Sequence, residues 1–219
     1  MKEKLCFAHN VTFRQKPLNK TMGIEKKLFP KSKMCVVSDG EEFSFSEIGD
    51  VKFEVFSPPQ GHKIGCVNSA WASLHLCIKQ EVDIICFSHD DIYISNPVKV
   101  KECLQMINEG YDFIGRRHIG SRAYTEKSSP HYNKYIMIEN FIMTKSLAEK
   151  IVKDVVFYPP NQEKLLPVDK LGSPCCEIAF GESVLKNSSK PYLYDFIHNW
   201  QDRDNEMGYF HVGNPRGWV

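Results

Sequence analysis

The chain has 219 residues, of which 42% are hydrophobic and 25% are charged. These proportions are those of a globular protein, and they exclude a disordered chain, a coiled coil and a collagen-like repeat. The 28 basic and 27 acidic residues leave a net charge of +1, so no overall field draws the chain to nucleic acid or to a membrane surface.

Apolar runs of strand length alternate along the chain with apolar residues at helical spacing. The runs predict five strands: Leu5–Ala8, Met34–Ser38, Lys52–Ser57, Asp83–Ser88 and Asp112–Gly115. A further extended stretch is predicted at Tyr135–Met143. The helical spacings predict four helices: Asn68–Gln80, Pro97–Glu109, Lys145–Lys153 and Pro174–Lys186. For the last helix, Ser173 is the expected cap and Pro174 the first helical residue.

This order of elements predicts one α/β domain over residues 1–219, with a central, mostly parallel sheet flanked by helices. Two long stretches, Arg116–Asn133 and Phe157–Ser173, fit no element, and loops of that length often serve as lids or acceptor sites. Residues 1–34 hold nine Lys and Arg against two Asp and Glu. We interpret this basic stretch as a solvated loop, with contact to phosphate as the alternative.

The eight cysteines lie mostly inside apolar runs, and no Cys-x-x-Cys pair occurs. This pattern favours reduced thiols in the core over a structural zinc site. It also indicates a reducing compartment, so we expect a cytoplasmic location. No apolar run approaches the ~20 residues that span a bilayer, and the N-terminal sequence has no apolar stretch long enough for a signal peptide.

The strand predicted at Asp83–Ser88 is followed by two adjacent carboxylates, Asp90 and Asp91. In an open α/β sheet, ligands bind beyond the carboxyl ends of the strands. Two neighbouring negative charges at the end of a buried strand are costly unless a positive group neutralises them. A Mn²⁺ or Mg²⁺ ion that carries a diphosphate would do so, because these ions prefer carboxylate and phosphate oxygens. The alternative is an exposed turn in which Asp90 caps a helix.

The stretch from Gly65-Cys66-Val67-Asn68 to Ser88-His89-Asp90-Asp91 resembles nucleotide-sugar-dependent glycosyltransferases of the GT-A fold, above all the inverting family 2. In that family a loop asparagine opens a helix, and the next apolar strand ends in the metal-binding acidic motif. Val36-Val37-Ser38-Asp39-Gly40 resembles the family's second strand, whose acidic end lies near the nucleobase.

The resemblance covers residues 1–115 and implies a Rossmann-type nucleotide-sugar-binding part there. Residues 116–219 would then form an acceptor-side part with a C-terminal lid. The resemblance implies that Asp91 is a metal ligand. The expected donor contacts on the same side are Ala8, His9, Asp39, Asn68 and Asp90. His62 and Lys63 join them because they lie in the loop after the third predicted strand, where they can contact the base or the diphosphate.

The C-terminal sequence His211-Val212-Gly213-Asn214-Pro215-Arg216-Gly217-Trp218 resembles the closing His-x-Gly-x-x-Lys-Pro-Trp motif of family 8 glycosyltransferases. In that family the histidine is a metal ligand and the lysine contacts the diphosphate. The resemblance therefore implies His211 as a second metal ligand. It implies Arg216 as a diphosphate contact, since arginine keeps the positive charge. Families 2 and 8 have opposite stereochemistry, so the stereochemical outcome stays open.

Inverting transfer needs a general base that takes the proton of the acceptor hydroxyl. In family 2 this base is commonly the aspartate of a Glu-Asp pair that opens a late helix. Here Glu177 fits the first position of the pair, but Ile178 stands where the aspartate is expected. We therefore predict Glu177 as the base and keep Glu182 in reserve.

These features together predict a metal-dependent glycosyltransferase that uses a nucleoside-diphosphate sugar, with a UDP-sugar as the expected donor. The acceptor would be a hydroxyl of a glycan, a lipid-linked sugar or a modified DNA base, and the sequence does not decide between them. One alternative is a nucleotidyltransferase, although the glycine-rich phosphate loop typical of that class is missing from Ala8–Thr12. The other alternative is a non-catalytic nucleotide-binding module.

Overall fold

The computed structural model describes residues 4–11, 15–45, 48–197 and 206–211, with the backbone alone at Gln15, Lys16 and His211. Nine strands lie within these residues: Leu5–Val11 (β1), Lys33–Ser38 (β2), Val51–Val55 (β3), Ile84–His89 (β4), Ile92–Ile94 (β5), Phe113–His118 (β6), Asn140–Thr144 (β7), Pro191–Phe196 (β8) and Tyr209–His211 (β9). Five α-helices accompany them: Gln15–Leu28 (α1), His62–Ile78 (α2), Pro97–Asn108 (α3), Lys145–Asp154 (α4) and Cys176–Asn187 (α5). Within these ranges, none of the helices is long and apolar enough to cross a membrane.

Seven of the strands form one sheet in the order β3-β2-β1-β4-β7-β6-β8. Strand β7 runs antiparallel to both of its neighbours, and the other neighbouring pairs are parallel. The predicted α/β class with a mostly parallel central sheet is therefore confirmed. Strands β5 and β9 form a separate antiparallel ribbon.

Helices cover both faces of the central sheet, which is why its middle strands are apolar throughout. On one face, Trp71 of α2 stacks on Phe180 of α5 with ring centroids 5.4 Å apart. On the other face, Leu18 of α1 and Leu104 of α3 belong to a second buried cluster. Polar groups of the central strands can therefore reach a ligand only at the edges of the sheet, where the strands end.

Four elements of the structure are missing from the sequence predictions. Helix α1 occupies part of the basic stretch that we interpreted as a loop, and its buried Leu18, Met22 and Glu25 follow a helical spacing. The glutamate on this inner face conceals the apolar pattern. Strand β8 was not predicted either. Strands β5 and β9 were missed because they have only three residues each.

Two helix starts also differ from the predictions. Helix α2 begins at His62, so Asn68 lies inside the helix instead of opening it. Helix α5 begins at Cys176, with Cys175 at the N-cap position, so Pro174 precedes the helix. Both shifts matter for the site, because they make Cys66 the fifth residue of α2 and Glu177 the second residue of α5.

A buried hydrogen-bonded pair joins α1 to the central sheet. The His9 ring bonds Glu25 through Nε2 at 2.8 Å and Ser88 Oγ through Nδ1 at 3.1 Å. The side chains of His9 and Glu25 are fully buried. Burial raises the pKa of Glu25, and the contact with His9 opposes that rise. The geometry therefore gives His9 a place in the core, not at an open edge.

We expect His9→Ala to lower the free energy of unfolding by about 3–5 kcal/mol, because the buried carboxyl group of Glu25 would lose its partner. Urea unfolding followed by circular dichroism would measure this change. The double variant His9→Leu/Glu25→Leu should recover most of the loss, since it removes both polar partners. A single variant as stable as the natural protein would contradict the structural role of the pair.

Candidate active site

The carboxyl ends of the parallel strands meet at one edge of the main sheet. Asp39 follows β2, and His89, Asp90 and Asp91 lie at the end of β4. Strand β7 starts at the same edge, where the carbonyl oxygen of Glu139 accepts a hydrogen bond from the backbone N–H of His89 at 2.9 Å. This is the position at which open α/β sheets bind ligands.

Asp39 connects the end of β2 to the start of α2. Its Oδ1 accepts a hydrogen bond from the backbone N–H of Gln60 at 2.5 Å. Burial raises the pKa of Asp39, although hydrogen bonds from the backbones of Gln60 and Gly61 work against the rise. A Cβ atom at Gly65 would overlap Oδ2 of Asp39, so only glycine permits this approach. Asp39 thus lies at the predicted edge and is held by the start of α2.

Asn68 is fully buried, and its side-chain amide bonds to two residues. Its amide nitrogen donates to Gln60 Oε1 at 3.1 Å and to the carbonyl of Tyr158 at 2.8 Å. Its Oδ1 accepts from the backbone N–H of Tyr158 at 3.0 Å. The structure therefore gives Asn68 contacts that anchor the long loop after α4.

The remaining predicted donor contacts near β1 and α2 divide into buried and exposed groups. Ala8 is fully buried in the core that α2 covers. His62 is exposed at the first residue of α2. The backbone N–H of Lys63 donates to Glu163 Oε1 at 3.3 Å, and its Nζ lies 3.9 Å from Glu163 Oε2. Of these three, His62 and Lys63 are near the edge.

The acidic pair forms the turn between β4 and β5. Asp90 is 8% exposed, and Asp91 is partly exposed. The following residues enter β5, and the next helix takes Asn96 as its N-cap. The alternative in which Asp90 caps a helix is therefore wrong. Asp91 is the more accessible carboxylate of the two.

The β5–β9 ribbon brings the C-terminal motif next to this acidic turn. His211 pairs with Ile92 in the antiparallel register, and Ile92 directly follows Asp91. The backbones of two motifs that are 120 positions apart thus lie side by side. Arg216 lies outside the described residues.

Several contacts hold β9 in this place. The Gly208 carbonyl accepts hydrogen bonds from the backbone N–H groups of Ser95 and Asn96, each at 3.0 Å. Tyr209 is fully buried against the α1–α3 side of the sheet. Arg116 Nε lies 3.3 Å from Glu206 Oε2, and the guanidinium stacks over the ring of Phe196 at 3.8 Å. The end of β6 therefore also anchors the start of the C-terminal segment.

A cysteine–histidine contact lies behind the acidic turn. Cys66 Sγ is 3.6 Å from His89 Nε2. A side-chain hydrogen bond from Cys176 and the nearby His89 lower the pKa of Cys66 to about 6. Burial opposes the charged form of His89, but Cys66 and the carboxylates of Asp91 and Glu139 outweigh it and raise the His89 pKa to about 9.

The sequence motifs contain both Cys66 and His89, but their spacing predicts no contact between them. The two residues are 23 positions apart, and only the placement of α2 against β4 brings their side chains together. A histidine that directly precedes an acidic pair was the one available signal.

Glu177 lies beside this contact, at the first turn of α5. Its Oε2 accepts hydrogen bonds from the thiols of Cys175 at 3.3 Å and Cys176 at 3.2 Å. Ile178 is fully buried, so the position at which family 2 places its base faces the core in this chain.

Glu182 has a different environment. Its Oε1 bonds His131 Nδ1 at 2.9 Å and Lys134 Nζ at 3.3 Å, which ties α5 to the loop after β6. The structure therefore brings Glu177 toward the acidic edge and engages Glu182 in holding a loop.

The two long loops are joined to each other by a buried ion pair. The fully buried carboxylate of Asp169 accepts a hydrogen bond from Arg122 Nε at 2.6 Å. The same carboxylate accepts backbone hydrogen bonds from Leu171 and Ser173, each at 3.0 Å. Arg122 and Asp169 therefore fix the loop after β6 against the loop before α5.

A cleft of about 380 Å³ lies between α2, α5 and residues 154–159. Its lining includes Trp71, Phe157 and Ser183 but none of the predicted site residues. It is therefore separate from the acidic edge described above.

The described residues adopt a fold of the GT-A glycosyltransferase type, which confirms the fold that the resemblance implied. No protein-family model and no curated protein matches the chain. Among solved structures, it is similar to S. aureus TarS 1–349, with a TM-score of 0.57 and 13% identity over 87% of this chain. The UDP complex of TarS 1–349 gives a TM-score of 0.56 at 14% identity over 91% of this chain. The UDP-GlcNAc complex gives 0.52 at 13% identity over 93% of this chain.

This chain spans only part of the length of these neighbours. The three matches cover 57%, 62% and 60% of the respective TarS 1–349 chains. At such low identity the likeness concerns the fold, and the chemistry of the site has to be argued from this chain's own residues.

Proposed function

We propose that the protein is a metal-dependent glycosyltransferase that moves a sugar from a nucleoside-diphosphate sugar, expected to be a UDP-sugar, to a hydroxyl acceptor. One observation carries this proposal: the β5–β9 ribbon sets the backbone of His211 beside the acidic turn at Asp91. Two motifs that were interpreted independently as parts of one metal–diphosphate site thereby meet at the ligand edge of a GT-A-type sheet. The acceptor class stays open among a glycan, a lipid-linked sugar and a modified DNA base.

The donor side of the proposed site uses residues from three strand ends. Asp91 and His211 would hold Mn²⁺ or Mg²⁺. A partly exposed carboxylate at a strand end fits such an ion, which takes one or two carboxylates together with substrate phosphates. When bound, the ion would stabilise the leaving diphosphate as a Lewis acid. Asp39 would contact the nucleobase, and Lys63 and Arg216 would contact the diphosphate.

The acceptor side of the proposed site centres on Glu177. As the general base, Glu177 would accept the proton of the attacking hydroxyl. Its position in the first turn of α5, next to the Cys66–His89 contact, supports this role over that of Glu182. The jointly anchored loops around Arg122 and Asp169 would shape the acceptor side.

Replacing the proposed metal ligand should slow turnover strongly. We expect Asp91→Asn to lower Mn²⁺-dependent turnover of a UDP-sugar by ~10²-fold or more, the scale for losing stabilisation of developing charge. Release of UDP, measured with and without EDTA, would test this. Asp50→Asn is the matched control, because Asp50 precedes β3 at the opposite edge of the sheet. Full turnover in excess EDTA would contradict the metal dependence.

The role of the C-terminal motif can be tested by a truncation that leaves the buried core intact. A deletion that starts at residue 208 would remove the buried Tyr209 and confound binding with stability. Ending the chain after His211 removes Arg216 and keeps β9. We expect this change to weaken UDP binding in the presence of Mn²⁺ by about 10- to 100-fold, the worth of one hydrogen bond to a charged group. Titration calorimetry would measure it, and unchanged affinity would exclude Arg216 from the site.

The roles of Glu177 and Glu182 can be distinguished by one matched pair of variants. Glu177→Gln should lower kcat by ~10²–10⁴-fold, the usual contribution of a general base, and leave UDP affinity unchanged. Glu182→Gln should keep kcat near that of the natural protein, because it loosens a loop contact only. Steady-state kinetics with UDP-sugar and acceptor would decide, and the reverse order of effects would make Glu182 the base.

A further inference from the structure

Three cysteines from different elements bring their sulfur atoms together in the core. Cys6 lies in β1, Cys35 in β2 and Cys77 in the last turn of α2. The Cys6 sulfur lies 3.5 Å from that of Cys35 and 3.3 Å from that of Cys77, and all three sulfurs lie within 4.8 Å of one another. None of the three residues is exposed to solvent. Thiolate sulfur is a soft ligand that prefers soft, polarisable ions.

We propose that Cys6, Cys35 and Cys77 together form a binding site for trivalent arsenic, an ion that takes three sulfur ligands at the corners of a pyramid. The site lies toward the amino ends of β1 and β2, whereas the candidate active site lies where the parallel strands end. The inference therefore stands apart from the proposed function.

The spacing of the sulfurs favours a pyramidal ion. With metal–thiolate bonds of ~2.3 Å, the two sulfur pairs at 3.3 and 3.5 Å subtend angles of about 90–100° at the ion. Trivalent arsenic keeps a lone pair, which closes its bond angles to this range. A planar three-coordinate ion such as Cu⁺ needs wider angles, and thus sulfurs that are farther apart. Tetrahedral Zn²⁺ needs a fourth ligand, and within the described ranges no further His, Cys, Asp or Glu joins the group to supply one.

The charge of the complex favours the same ion. All three cysteines belong to the apolar cluster between α2 and the sheet. Three thiolates around Cu⁺ would leave a double negative charge in that cluster, and three around Zn²⁺ would leave a single one. A buried charge without a partner is strongly unfavourable. Around a trivalent ion the charges cancel, so the complex is neutral and suits its apolar surroundings.

The binding reaction is an exchange of oxygen ligands for sulfur ligands. At neutral pH the ion is present as arsenous acid, As(OH)₃, which is small and uncharged. Three As–O bonds break and three As–S bonds form, and each departing hydroxide leaves with one thiol proton as water. Three waters are released, arsenic stays trivalent, and no electrons are exchanged. Because the sulfurs are buried, the last turn of α2 has to open for arsenous acid to enter, and we expect slow binding.

The test adds sodium arsenite to the folded, full-length protein in oxygen-free buffer with a phosphine reductant, which does not compete as a dithiol would. Native mass spectrometry should find one arsenic atom bound with the loss of three hydrogens. X-ray absorption at the arsenic edge should count three As–S bonds. We expect Tm to rise by about 5–10 °C when arsenite is at ~100 times its Kd.

Matched variants locate the site. Cys6→Ala, Cys35→Ala and Cys77→Ala should each weaken arsenite binding by more than ~100-fold, because a lost ligand atom costs more than a lost outer partner. The double variant Cys175→Ala/Cys176→Ala is the control, since it removes two adjacent thiols and keeps the group of three. Its affinity for arsenite should equal that of the natural protein. Thermal unfolding without arsenite would show which variants are folded.

Four results would overturn the proposal. These are arsenic bound through fewer than three sulfurs in the natural protein, arsenic retained at full affinity by Cys77→Ala, arsenic lost from the control double variant, or tighter binding of Zn²⁺ than of arsenite. The sulfur count needs no variant, so it decides even if a substitution in the core prevents folding. None of these measurements uses a UDP-sugar or turnover, so the site can fail while the proposed function holds, and the reverse.

Discussion

The candidate site depends on where β4 ends. Its apolar residues pair with β1 on one side and β7 on the other, and helices cover both faces. That burial fixes where the strand ends, because charged side chains cannot follow the apolar residues into the covered part of the sheet without a large desolvation cost. His89, Asp90 and Asp91 must therefore emerge together at the edge. Their charges need partners there, and His89, with its pKa raised to about 9, is one positive group within the chain itself.

Helix α2 assembles the rest of the site around that edge. Three residues of its first two turns each contact a different part of the molecule. Gly65 receives Asp39 from β2, Cys66 meets His89 of β4, and Asn68 holds the loop at Tyr158. The same helix buries Trp71 against α5, which sets Glu177 beside Cys66. One helix thus links the proposed nucleobase, metal and base regions.

The elements that could be predicted from the sequence are those with a continuous apolar run or a regular apolar spacing. Continuous apolar runs marked β1, β2 and β4, and their order with the helices indicated the sheet class. Helix α1 was not predicted because its buried face includes the charged residue type Glu25, whose partner His9 lies on a separate strand. The three-residue strands β5 and β9 have no periodicity to detect, since each forms only by pairing with the other. The start of α2 was placed six residues late, which is why Asn68 was expected to open the helix.

The thiols around Glu177 have a consequence for the proposed base. A thiol is a weak hydrogen-bond donor, so Cys175 and Cys176 orient the carboxylate without competing strongly for its lone pairs. Stronger donors, such as backbone N–H groups, would stabilise the carboxylate and make it a poorer proton acceptor. The apolar Ile178, which points into the core, leaves Glu177 as the acidic group at this turn. The two thiols thus fix the direction of the Glu177 carboxylate in the first turn of α5.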